Sequence, residues 1–217
     1  MLLKKNGNNK MEIIDISWPI TQDMTGYKDK KNVRLKQLKT FDNDGVRESA
    51  ILCGTHIGTH VDAPSHFLRD GKTIDQVSLS QLMGPCIVID FTAVTEKIVP
   101  ADLQKHDITQ EQIVLFKTKN SLTSAVDAFD HQFVYLDASG AQYLADKGVK
   151  AVGIDYLGIE RDQEGHPSHG VLMNKNIPII EGLRLQKVDA GNYFFYCFPL
   201  LIVGLEAAPA RAVLMSD

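Results

Sequence analysis

The chain has 217 residues, 44% of them hydrophobic and 23% charged, with a formal net charge of −4. That suits one domain with a core of normal size. It excludes the basic stripe of a nucleic-acid binder, and the longest apolar run, Tyr193 to Leu205, is too short to span a bilayer and is interrupted by Pro199.

Residues 1–10 are polar and basic, without the apolar core of a secretory signal, and are expected to be a disordered tail. Met11 is an equally natural beginning, so the domain is expected over 11–217, in the cytoplasm. Glu12 to Ile16 reads as an opening strand, and Ser49 to Cys53 as a strand leading into a histidine-rich segment. Cys86 to Phe91 is apolar and β-branched after Gly84-Pro85, a buried strand. Pro100 to Lys105 suits a short helix with Pro in its first turn. Ile113 to Lys117 and Phe133 to Leu136 read as strands. Ser139 can cap a helix through Lys147, stopped by Gly148. Val149 to Ile154, Ile177 to Ile180 and Phe194 to Val203 complete the apolar set. Strand, helix and strand from Phe133 to Asp155 suggest a parallel pair with a crossover. The whole predicts a single α/β domain with a mixed sheet. Cys53, Cys86 and Cys197 are far apart, odd in number and without a C-x-x-C pair. They are expected to be buried, free thiols.

Three of the seven histidines, with one Asp, fall in His56-Ile57-Gly58-Thr59-His60-Val61-Asp62-Ala63-Pro64-Ser65-His66. Gly58, Thr59, Val61 and Pro64 disfavour a helix. An extended segment would put His56, His60 and Asp62 on one face, with Gly58 leaving room for an ion. Two imidazoles and a carboxylate suit zinc, manganese or iron and leave positions open for water and substrate. His66, beyond the turn at Pro64, could act as a general acid or base. The other histidines read as ordinary: His106 and His131 exposed, His166 in a loop.

The segment resembles the pattern H-x-G-T-H-x-D-x-P-x-H of the cyclase-like metal hydrolases, the family that includes bacterial kynurenine formamidase and isatin hydrolase. All seven specified positions agree. Asp15 to Ile20, Gly148 to Asp155, Ile180 to Leu183 and Pro209 to Ala212 extend the resemblance over nearly the whole chain from about Met11. The chain departs from the family at Met24 to Lys28, which keeps a Tyr but not a Tyr-Pro-Gly-like turn. It also departs at Leu157 to Ile159, where the family often has a Ser.

The resemblance implies the swivelling β/β/α type of fold. It implies one or two divalent ions, Zn or Mn. His56, His60 and Asp62 would hold one. Asp62 would bridge to a second, held also by His169 and Glu181, and His66 would be the proton shuttle. It implies hydrolysis of a small-molecule amide, arylformamidase-like, as in tryptophan breakdown, by a homodimer or larger assembly. A cyclic-amide hydrolase, a cyclase and a metal-binding protein without turnover are the alternatives. Trp18, Tyr27 and Phe67 are candidates for lining the substrate pocket.

Overall fold

The computed structural model describes residues 12–216. The expected tail, 1–10, lies outside the described residues. The elements follow in chain order: β1 (Glu12–Asp15), β2 (Val33–Lys39), α1 (Phe41–Asp44), β3 (Glu48–Cys53), β4 (His60–Asp62), β5 (Met83–Phe91), β6 (Lys97–Ile98), α2 (Pro100–Leu103), β7 (Ile113–Thr118), β8 (Tyr135–Leu136), α3 (Ala138–Lys147), β9 (Ala151–Ile154), α4 (Pro167–Asn174), β10 (Ile179–Glu181), β11 (Gly191–Pro199) and β12 (Ala207–Ser216).

The main sheet runs β1-β12-β11-β5-β7-β9-β10-β4, and β4 pairs back onto β12, so seven of its strands close a barrel. Strands β5, β7, β9 and β10 are parallel neighbours, and the remaining pairings are antiparallel. The period-2 alternation of strand side chains divides the core in two. Cys86, Val88, Ile113, Leu115, Ala151, Val61 and Ile180 belong to the cluster inside the barrel. Ile89, Val114, Phe116, Val152, Ile154 and Ile179 point outward into a second cluster, beneath Leu144 of α3 and Leu172 and Met173 of α4. These central strands are buried on both faces, which is why they read as unbroken apolar runs. The mixed-sheet α/β domain expected from the sequence is thus the observed one.

Local details differ. β8 pairs in parallel with β6 in a small separate sheet, so Phe133 to Asp155 is not a paired crossover. The partners of β9 are β7 and β10, both parallel to it. Helix α3 is capped by Asp137, whose carboxylate accepts the Ser139 N–H, and not by Ser139; Gly148 ends it in the left-handed region, φ 69°. The final strand pair splits after Pro199 and resumes at Ala207, where one run to Val203 was expected. Strands β2 and β3 form an exposed hairpin whose first strand has no simple apolar alternation. Cys86 and Cys197 are buried free thiols, whereas Cys53, at the end of the exposed hairpin, is only half-buried.

Candidate metal centre

The site starts from strand register. β4 and β10 are antiparallel, with His60 directly opposite Glu181 and Asp62 opposite Ile179. Opposed residues share a face, so His60, Asp62 and Glu181 all lie on the outer side of the barrel, while Val61 and Ile180 point in. His60 Nε2 is 3.4 Å from Asp62 Oδ1 and 3.4 Å from Glu181 Oε2. Its Nδ1–H donates to the Gly58 carbonyl at 2.9 Å, which turns Nε2 toward the two carboxylates, where its lone pair would be free for an ion once deprotonated.

His56 arrives differently from the expected strand face. Residues 56–59 form bends, and the extended backbone begins at His60. Gly58 takes a left-handed φ of 52°, and the turn swings His56 back over the strand. Gly58 therefore serves the backbone and not the room for an ion: a Cβ there would lie 3.3 Å from the Trp18 carbonyl oxygen and from Met24 Cε. Thr59 secures the turn, donating to the Gly182 carbonyl at 2.6 Å and accepting the Trp18 N–H at 2.7 Å. His56 Nδ1 then sits 2.9 Å from Asp62 Oδ1, and its Nε2 lies 3.3 Å from Glu206. Pro64 opens a 3-10 turn that ends in His66, whose ring lies 4.1 Å from that of His56, centre to centre.

His169 comes from the first turn of α4. Its Nε2 is 3.7 Å from Asp62 Oδ2 and 3.6 Å from Glu181 Oε1. Its Nδ1–H donates to Glu160 Oε1 at 2.7 Å, so this imidazole too turns its Nε2 to the centre. All five residues proposed as ligands from the resemblance, together with His66, are therefore brought to one place, around Asp62.

The donor set fits a divalent ion. Asp62 Oδ1 and Oδ2 and His60 Nε2 are buried and have no hydrogen-bond partner, even though neighbouring polar atoms lie close. Such orphaned atoms are costly unless something binds them. The ligand atoms of His60, Asp62 and Glu181, and separately those of His56, Asp62 and His66, lie within 4.8 Å of one another. Asp62 belongs to both groups, and only a carboxylate offers two oxygens to two ions. In the protein alone, protons stand in for the cation. Burial opposes the charge on His60, but Asp62 and Glu181 raise it to about 9. Burial and the Asp62 charge push the Glu181 carboxyl up, but hydrogen bonds from His169 and His60 outweigh them and hold it at about 2. A bound ion would displace these protons.

Beside these residues opens a cavity of 450 Å³, lined by Tyr27, Lys30, Asn32, Gly54, Thr55, His56, His66, Phe67, Leu157, His166 and Glu181. Tyr27 and Phe67 line this cavity. Trp18 does not: it is buried at 2% exposure, donates through Nε1 to the Ala125 carbonyl and packs against Arg184. Sequence reasoning missed Glu160, the acceptor behind His169, and Glu206, whose carboxylate lies near His56 and accepts from the Thr55 hydroxyl, because carboxylates in irregular segments carry no periodic signal. His166 is a loop residue, as expected, and from that loop it lines the cavity.

The profile of the Cyclase family ("Putative cyclase") matches residues 14–161. The chain belongs to this family. It is 33% identical to the kynurenine formamidase of Salinibacter ruber (strain DSM 13855 / M31), over 94% of this chain and 97% of that one. It superposes with a TM-score of 0.86 on a structure described as a predicted metal-dependent hydrolase from Bacillus stearothermophilus, at 43% identity, covering 96% of this chain and all of that one (100%). Isatin hydrolase A from Ralstonia solanacearum has the same fold, with a TM-score of 0.83 at 20% identity, covering 95% and 92%.

Proposed function

We propose that this protein is a metal-dependent amide hydrolase of arylformamidase type, converting N-formylkynurenine or a similar N-formyl aryl amine to the free amine and formate. One observation carries the reading. The buried, partnerless atoms of Asp62 and His60 meet His56, His169 and Glu181 at the edge of the cavity, with His66 beside them. The 33% identity to a kynurenine formamidase supports the choice of substrate.

His56, His60 and Asp62 would hold one ion, and Asp62, His169 and Glu181 a second, of zinc or manganese. Such an ion, when bound, lowers the pKa of water and polarises a carbonyl. The protein supplies the proton handling. Burial and the neighbouring His56 and His169 hold the His66 imidazole below its ordinary range against the opposing pull of Asp62, so it is neutral near pH 7 and can accept a proton from the attacking water. The same nitrogen can then deliver that proton to the departing amine. Phe67 and Leu157 offer apolar wall for an aryl ring. The same groups would open a cyclic amide, and a basic imidazole beyond the ligand set argues against mere metal storage.

The exposed hairpin supports a homodimer or larger assembly. Leu35, Leu38, Ile51 and Leu52 are all exposed on it, and a two-stranded ribbon is marginal alone in water. Free cysteines suit the cytoplasm, and no helix among the described residues is long and apolar enough to cross a membrane.

The deciding experiment is a chelation series with N-formylkynurenine, isatin and simple anilides as substrates. Turnover of the formyl amide should vanish with the metal and return with added zinc or manganese. Turnover that survives complete metal removal would refute the proposal. Preference for isatin would transfer it to cyclic amides.

A further inference from the structure

The cavity wall holds one imidazole that is neither a proposed ligand nor the proposed proton shuttle. His166 sits immediately before α4 with φ 49° and ψ 57°, in the left-handed region that non-glycine residues avoid. Its side chain makes no capping bond that would explain this. Strained backbone of this kind persists where the surroundings over-determine it, and here they do. The His166 Nδ1–H donates to Glu160 Oε1 at 2.9 Å, the same oxygen that takes the His169 Nδ1–H at 2.7 Å. The other carboxylate oxygen of Glu160 accepts the Ser168 N–H at 2.7 Å, and Glu160 is only 3% exposed. These are hydrogen-bond lengths, so Glu160, His166 and His169 form a fork and not another ion site. The Phe67 ring lies against both imidazoles, 4.7 Å from His166 and 4.5 Å from His169 between centres.

The His166 ring is therefore held by a buried carboxylate at one nitrogen and by an aromatic face on its flank, and the side chain, 46% exposed, is among those that line the cavity. A neutral imidazole that spends its Nδ1–H on Glu160 keeps a lone pair on Nε2, an acceptor. We propose that His166 is a specificity-determining residue whose Nε2 accepts a hydrogen bond from an N–H on the aryl part of the substrate or product. The inference rests on the amide-hydrolase reading for the identity of that molecule, but not for the contact itself.

The test compares zinc-loaded wild type with His166→Asn and His166→Gln, using 2-aminoacetophenone and its amine-free counterpart acetophenone as binding probes. Asparagine tolerates the left-handed backbone and can reach Glu160, but has nothing at the Nε2 position; glutamine carries an acceptor there. Wild type should bind the amine about threefold to tenfold more tightly than the ketone alone, the effect of one hydrogen bond. His166→Asn should lose that preference, His166→Gln should regain part of it, and zinc affinity should stay within about threefold in both, as a contact outside the ligand set predicts. The inference falls if wild type shows no amine preference, if His166→Asn retains it, or if His166→Asn loses zinc affinity tenfold or more. Should His166→Gln fail to fold, the asparagine variant decides alone. An intact amine preference in a protein that does not hydrolyse N-formylkynurenine would refute the hydrolase reading while supporting the contact.

Discussion

Gly182 follows Glu181, a proposed ligand, and its replacement by alanine tests how the centre is held together. Gly182 has φ 70°, and a Cβ built on it lands on the Gly58 carbonyl oxygen, 2.5 Å from the carbonyl carbon and 3.0 Å from Thr59 N. These atoms are backbone and cannot swing aside. They belong to the turn that aims His56 and His60, and the same carbonyl receives His60 Nδ1–H. A left-handed alanine costs about 1–2 kcal/mol, and overpacking adds about 1–3 kcal/mol. The sum, about 2–5 kcal/mol, corresponds to a fall of about 4–20 °C in Tm for a chain of this size. The Gly58 carbonyl must also move, releasing the His60 ring, so zinc affinity measured against a competing chelator should drop at least about tenfold. Gly58→Ala is the milder control, since its Cβ has neighbours no nearer than 3.3 Å. A Gly182→Ala protein with Tm within 2 °C and zinc affinity within twofold of wild type, thresholds under the estimates of about 4 °C and about tenfold, would refute the idea that this contact sets the ligands.

Glu160→Gln leaves the buried fork with an amide nitrogen where an acceptor oxygen stood, and should weaken metal binding about tenfold to a hundredfold in the same chelator assay. His66→Ala should keep its metal, as elemental analysis would show, yet lose about a hundredfold to ten-thousandfold in kcat. The depressed His66 imidazole also predicts that the acid-side fall of kcat/KM for the formyl amide lies below the ordinary imidazole pKa, because burial keeps the base neutral to lower pH. Burial outweighs the hydrogen bonds from Ser121 and Thr118 and raises the Asp155 carboxyl to about 6, above the ordinary 3.8. The folded protein holds this proton longer than the unfolded chain, so the Asp155 contribution to stability is fullest below about 4 and is lost as pH rises to about 6. Urea midpoints of wild type and Asp155→Asn should show that slope in wild type alone.

The sequence by itself determined most strands of the barrel and pointed to most of the proposed ligands. Ile113 to Lys117 and Val149 to Ile154 are legible because a strand buried on both faces must be apolar at every position. His56, His60, Asp62 and His66 are legible because imidazoles and a carboxylate crowded around glycine and proline are too costly to bury without a partner. His169 and Glu181 came only through the resemblance, since no local pattern separates a ligand from an ordinary helix-start histidine or turn glutamate. Tertiary structure decided the rest. The register of β4 against β10 sets Glu181 opposite His60, and strand pairing over more than a hundred residues of chain has no local signal. Folding withdrew Trp18 into the core and brought the loop residue His166 to the cavity wall. It put Glu160 and Glu206 beside imidazoles proposed as ligands, because where an irregular segment comes to rest depends on what it packs against. The histidine segment itself changed character. It was expected to line up its ligands along one extended face, but the turn at Gly58, held by Thr59 against Gly182, is what brings His56 back to Asp62.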